Sequence, residues 1–188
     1  MSVANAPCRR PQRDELTGLA NRRRFNQVLR HAALEAACDA GGVAVVFCDM
    51  DGLKAVNDEH GHALGDQALV TFAHLLQGAV RQTDLVARLG GDEFVILLER
   101  LSGEDEAREV VQSVRAAMDQ SHLVGGVTMR LRGSVGYAYA QGDRVDAESL
   151  LLSADAAMYR DKRARKFQAG GVPRAPLASD PSASTWLQ

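Results

Sequence analysis

From Asn21 onward, apolar residues fall three and four apart at Phe25, Val28, Leu29 and Ala32. That is the repeat of one helix face, and Asn21 is a residue type that caps such a helix. Gly41 and Gly42 close the segment, and Val43 to Phe47 follows as an unbroken apolar run, which reads as a buried strand. A second helical repeat begins near Leu64 and places Leu69, Phe72, Leu76 and Ala79 on one side. Leu85 to Leu89 and Phe94 to Leu98 are short apolar runs around Gly90-Gly91-Asp92-Glu93, the pattern of a hairpin. Ser102 is the expected cap of a third helix that carries Ala107, Val110, Val114 and Ala117 on its apolar face. Val127 to Ala140 reads as extended, with Gly133 and Gly136 at bends or close approaches. Asp146 is the expected cap of a last helix bearing Leu150, Leu151, Ala154 and Met158. The predicted order is α-β-α-β-β-α-β-α. It implies an α+β fold with a mostly antiparallel central sheet covered by helices, for which the ferredoxin-like arrangement is the natural candidate.

Composition narrows the class. The chain has 188 residues, 46% hydrophobic and 24% charged, ordinary values for one globular domain with a real core. Residues 1–13, with Pro7, Pro11 and scattered Arg, read as a leader, 14–167 as the domain, and 168–188, rich in Gly, Pro, Ala and Ser, as a disordered tail. The net charge of −2 gives no basic field for a nucleic acid polymer. No apolar run approaches the ~18 residues of a membrane span, and the first residues lack the apolar core of a secretory signal. Cys8, Cys38 and Cys48 are odd in number and lack CxxC spacing, which fits reduced thiols and a cytoplasmic location.

The chemistry is concentrated in two acidic pairs. Asp49 and Asp51 stand two apart at the end of the first strand, so their side chains are expected on one face, and Asp92 and Glu93 sit on the hairpin turn. If the two turns meet, three or four carboxylates converge, and such a cluster repels itself unless a cation neutralises it. All-oxygen donors suit a hard ion, one or two Mg²⁺ (Mn²⁺ being the alternative), which clamps phosphate oxygens and lowers the pKa of an attacking hydroxyl. Lys54 is a compact cation suited to a phosphate oxygen or a leaving pyrophosphate. Asn57 offers a donor and an acceptor to a base edge. Asp66 as carboxylate is able to accept from both N–H groups on one edge of guanine, a pair that adenine lacks. Taken singly, Asn57 and Asp66 read equally as a turn former and a helix first-turn acid.

Together these residues resemble the GGDEF domain family, the diguanylate cyclases. The resemblance spans about residues 12 to 167. It rests on Asp14-Glu15-Leu16-Thr17-Gly18-Leu19-Ala20-Asn21-Arg22-Arg23, on Asp49-Met50-Asp51-Gly52-Leu53-Lys54-Ala55-Val56-Asn57-Asp58, on Gly61-His62 with Gly65-Asp66, on Gly90-Gly91-Asp92-Glu93-Phe94, and on Ala154-Asp155-Ala156-Ala157-Met158-Tyr159. It implies a polymerase-palm-like fold and the condensation of two GTP into cyclic di-GMP with release of two pyrophosphates. By the family pattern, Asp49, the Met50 carbonyl, Asp92 and Glu93 form the Mg²⁺ site, and Asp92 accepts the 3′-hydroxyl proton. Lys54 stabilises phosphate charge, Asn57 and Asp66 read guanine, and Lys162 is the phosphate-binding lysine of the last helix. Each domain takes one GTP, so the reaction implies a homodimer, transient for an isolated domain. Arg81 and Asp84, at the family offset before the hairpin, resemble an inhibitory site for the product, cyclic di-GMP. Two places depart from the family pattern: Gly52-Leu53 replaces an aromatic residue before the lysine, and Arg165-Lys166 stands where a Gly-Arg pair is usual. The alternative to an active cyclase is a non-catalytic cyclic di-GMP receptor that uses Arg81 and Asp84.

Overall fold

The computed structural model describes residues 12–168. Apart from Gln12, Arg13 and Gln168, the expected leader and tail lie outside the described residues. The elements are β1 (Ala20–Asn21), α1 (Arg22–Asp39), β2 (Gly42–Met50), α2 (Leu53–His60), α3 (His62–Gly78), β3 (Leu85–Gly90), β4 (Glu93–Leu101), α4 (Glu104–Met118), β5 (Ser121–Val124), β6 (Val127–Arg130), β7 (Gly133–Gln141), a 3₁₀ turn (Gly142–Arg144) and α5 (Ala147–Gln168).

The five-stranded sheet runs β1-β3-β4-β2-β7. Only the β1–β3 pair is parallel, and β3–β4, β4–β2 and β2–β7 are antiparallel. From β2 to β7 the core is therefore β-α-β-β-α-β in ferredoxin-like order, with α1 before it and α5 after it. All nine residues of β2 are buried because helices cover both sheet faces. Ala44, Val46, Cys48 and Met50 pack with Phe72 and Leu76 of α3 and Val114 and Met118 of α4. Val43, Val45 and Phe47 pack with Phe25 and Leu29 of α1 and Ala154 and Met158 of α5. The Phe72 and Phe94 rings, 5.1 Å apart and tilted, tie α3 to β4.

Local signals act as expected at several ends. Asn21 caps α1 by accepting from the Arg24 N–H, and Asp146 accepts from the Ser149 N–H at the start of α5. Gly136 is a true close approach, since an added Cβ would collide with the α5 backbone at Ala157 and Met158. Elsewhere the structure departs from the reading. Helix α4 is preceded by extended Gly103, with no side-chain cap. The Glu106 carboxylate reaches back instead to Ser102, accepting its N–H at 2.7 Å, and the Ser102 hydroxyl also acts on it. The stretch from Val127 to Ala140 is two strands, and the first of them pairs with β5 around Gly125-Gly126. Segment 53–60, which carries Lys54 and Asn57, is a helix of its own.

Candidate active site

The acidic turns meet at one end of the sheet. Asp49 and Glu93 are register partners across β2 and β4, and the Met50 N–H donates to the Asp92 carbonyl at 3.0 Å. Side chains alternate along a strand, so Asp49 and Glu93 point to the face covered by α1 and α5. The hairpin tip turns through Gly90 (φ 149°) and Gly91 (φ 53°), and the second value is one that residues with a Cβ rarely adopt. Arg88 holds the tip closed. Its Nε and one terminal nitrogen donate to the Gly91 carbonyl at 3.0 and 2.7 Å, and the other donates to Asp14 at 3.1 Å. Asp14 also accepts from the Thr17 N–H and hydroxyl, so the turn ahead of α1 is locked onto the hairpin.

Each central carboxylate has its own cation. Lys162 Nζ of α5 lies 2.7 Å from Asp49 Oδ1, and an Arg22 terminal nitrogen of α1 lies 3.5 Å from Glu93. Arg22 Nε also donates to the Leu89 carbonyl. Burial pushes the Asp49 carboxyl up, Lys162 opposes that, and Asp92 and Asp51 add repulsion. Burial likewise raises Glu93 against the pull of Arg22, with Asp155, Asp49 and Asp92 repelling it. For Lys162, burial disfavours the charge, but Asp49, Asp51 and Asp92 outweigh it and hold the ammonium above its ordinary range. Asp49 and Lys162 both shift upward because Asp49 is buried among like charges whereas Lys162 faces three carboxylates. Asp51 turns aside to accept from the Ser134 hydroxyl at 3.2 Å.

The expected convergence is thus partial. Among the described residues, no three His, Cys, Asp or Glu side chains stand close enough to hold an ion by themselves. Like-charge repulsion and the pull of Lys162 and Arg22 keep the carboxylates from closing into a cage. The donor set still fits Mg²⁺, which is commonly held by one or two carboxylates, with water and substrate phosphates filling its remaining positions. Asp49, the Met50 carbonyl, Asp92 and Glu93 are all oxygen donors at this one end of the sheet, and Asp49 is a buried acid destabilised by neighbouring acids.

Asn57 and Asp66 are brought together at the corner between α2 and α3. Asn57 lies so close over Gly65 that an added Cβ would strike its Oδ1, and Asp66 is the next residue, exposed in the first turns of α3. Lys54 is exposed in the first turn of α2. Arg81 and Asp84 form a separate structure. The Asp84 carboxylate accepts from the Arg81 N–H at 2.9 Å, and the Arg81 guanidinium pairs with Glu106 of α4 at 3.0 Å. Arg165, at one of the departures from the family pattern, donates to Asp161. Asp161 also receives the Val135 N–H and Arg115, each at 3.0 Å, and so pins α5 to β7 and α4. The sequence reading gave no role to Asp161, Arg115 or Arg22. The Asp14-x-x-Thr17 spacing of a side-chain-capped turn was the visible signal for the Asp14 anchor.

A β-α-β-β-α-β core with acids at the end of its first strand and on its central hairpin defines an α+β domain with its oxygen donors gathered at one end of the sheet. Residues 12–168 match the family described as diguanylate cyclase, GGDEF domain, and the chain belongs to that family. It is 40% identical over 149 residues to the bifunctional diguanylate cyclase/cyclic di-GMP phosphodiesterase MucR of Pseudomonas aeruginosa, covering 79% of this chain and 22% of MucR. It is 38% identical over 169 residues to the diguanylate cyclase TpbB of the same organism, covering 89% of this chain and 38% of TpbB. The chain therefore spans well under half the length of these curated relatives. A solved structure comprising only the GGDEF domain of TpbB superposes with TM-score 0.76 at 38% identity, covering 81% of this chain and 89% of that one. The GGDEF domain of DgcB from Caulobacter crescentus, in complex with c-di-GMP, superposes with TM-score 0.74 at 28% identity, covering 83% and 92%. Among the described residues, no helix is long and apolar enough to cross a membrane.

Proposed function

We propose that this chain is a Mg²⁺-dependent diguanylate cyclase, with Mn²⁺ as the alternative ion, that condenses two GTP into cyclic di-GMP and releases two pyrophosphates. The observation that carries the reading is the pairing of Asp49 with Glu93 across β2 and β4, beside the Asp92 turn fastened to Met50. The name of the relative TpbB supports the same activity. A divalent ion, when bound by Asp49, the Met50 carbonyl, Asp92 and Glu93, supplies neutralisation of phosphate charge and acidification of the attacking hydroxyl. The chain supplies the rest. Asp92 receives the 3′-hydroxyl proton, and Lys54 and Lys162 stabilise charge on the phosphates. Asn57 and Asp66 orient guanine at the α2–α3 corner, and Asp66 rejects adenine because its second oxygen would lack a donor. Positioning contributes most in such transfers, so a hairpin clamped by Arg88 and Asp14 is itself part of the machinery.

Each domain presents one acidic site, and closing a ring needs two attacks. The active species is accordingly a two-fold homodimer with its sites face to face. Arg81 and Asp84 form the inhibitory site for cyclic di-GMP. The cytoplasm, which holds GTP, is the compartment this reading assigns. The test is incubation with GTP and Mg²⁺, with and without a fused dimerising segment, followed by chromatography. Product from the fused protein, abolished by Asp92→Ala, is the expected result. Cyclic di-GMP binding with no turnover in either form would replace this reading with that of a receptor.

A further inference from the structure

Lys162 projects from α5 across the end of β2 and meets Asp49 at 2.7 Å, with the two side chains 27% and 9% exposed. The pair is thus largely withdrawn from water, where charges screen each other less. The same ammonium also feels the negative charge of Asp51 and Asp92. Asp161, one residue earlier, does not compete for it. That carboxylate is engaged by the Val135 N–H, Arg115 and Arg165. Those bonds also fix the helix to β7 and α4, so Lys162 is able to leave Asp49 by moving its flexible four-carbon stem while the helix stays in place.

We propose that Lys162 is a tethered counter-ion that must vacate Asp49 before a divalent ion binds there, which couples ion entry to nucleotide entry. The inference rests on the reading of Asp49 as an ion ligand. An ammonium and a divalent cation repel each other, and both require the same carboxylate. A triphosphate removes the conflict by giving the ammonium a second anionic partner. Ion and triphosphate then strengthen each other's binding, and the coupling is reciprocal. A lysine that only touches phosphate would leave the affinity for the ion alone unchanged.

The experiment is titration of the protein with Mn²⁺ alone, followed by calorimetry or electron paramagnetic resonance, and then with a non-hydrolysable GTP analogue present. Lys162→Met keeps the apolar stem and removes the charge, and Lys162→Gln provides a second neutral variant. Both are expected to bind Mn²⁺ alone more tightly than the wild type, on the order of tenfold, the low end of what one neighbouring charge does to an ionic equilibrium. Both should also lose part of the further tightening that the analogue gives the wild type. Mn²⁺ affinity equal to or weaker than wild type in both variants overturns the proposal. Asp49→Asn separates the two levels. If it abolishes binding while the Lys162 variants behave like wild type, the ion site stands and the exchange falls. If it leaves binding unchanged, or no protein binds Mn²⁺, the ion-site reading falls and takes the exchange with it.

Discussion

Glu93 faces Asp49 across β2 and β4, and burial raises both carboxyls above their ordinary range. A raised carboxyl binds its proton more tightly in the folded chain than in the unfolded one. Its contribution to stability is complete below the ordinary value of 4.5 for Glu93 and is lost as pH rises through the raised folded value. Glu93→Gln removes that loss. Without divalent ions, the variant is expected to melt at the wild-type temperature below about pH 4 and at a higher temperature near neutrality. Melting curves across that window check the point. A variant that melts lower at neutral pH would show that the attraction of Arg22 exceeds the burial cost.

Arg88 is the clamp of the signature hairpin, with its side chain 11% exposed and three hydrogen bonds shared between Gly91 and Asp14. Arg88→Ala leaves a carbonyl and a carboxylate short of donors, at a cost of about 2–3 kcal/mol. In a chain of this size that lowers Tm by roughly 4–12 °C. Lysine should rescue little because one ammonium cannot fork between Gly91 and Asp14. Hydrogen exchange gives the sharper readout, since loss of protection should concentrate at the hairpin tip and around Asp14 to Thr17. A uniform loss across the sheet would mean that Arg88 supports general stability and not the turn.

Asp161 joins three elements through Val135, Arg115 and Arg165. Burial alone would raise its carboxyl, but these donors outweigh burial and hold it below the ordinary value of 3.8. A depressed carboxyl contributes stability above the unfolded value, and that stability disappears as pH falls through the folded one. Asp161→Asn should therefore destabilise the protein near neutrality by about 1–3 kcal/mol, through loss of charge-assisted bonds. The gap to wild type should narrow below the ordinary value and close once pH has fallen through the lowered folded one. A gap that persists there would assign the effect to packing.

The longer elements were legible because each one announces itself. Phe25, Leu29, Ala32 and Ala36 repeat along α1, and the unbroken run of β2 needs cover on both faces, which requires helices on either side. Helix α2 was missed because it buries none of its residues and opens at Gly52 with a left-handed φ of 82°, so it lacks a repeat to detect. Strand β5 was not read and β6 merged with β7 into one longer strand because Leu123 and Val127 are exposed, which removes the alternation that marks a covered strand. In the site, the acids could be read from residue type and turn signals. Their cations could not, because Lys162 and Asp49 are 113 residues apart and Arg88 and Asp14 are 74 apart. Only the folded topology decides which cation meets which acid. The same limit hid the partner of Arg81, since Glu106 looks like an ordinary first-turn acid of α4.

That partner alters what the proposed product site should do. The Arg81 guanidinium is held by Glu106 at 3.0 Å, and Glu106 is itself fixed by the Ser102 N–H. Cyclic di-GMP must draw Arg81 away from this carboxylate before the guanidinium can fork onto a guanine edge or a phosphate. Glu106→Gln removes the competing anion, so product inhibition should strengthen by roughly two- to fivefold, the worth of an exposed ion pair. Arg81→Ala should abolish inhibition. Initial rates at several product concentrations, at fixed GTP, measure both effects. If neither substitution shifts the inhibition constant, Arg81 serves only to tie the start of β3 to α4, and any product sensitivity arises elsewhere.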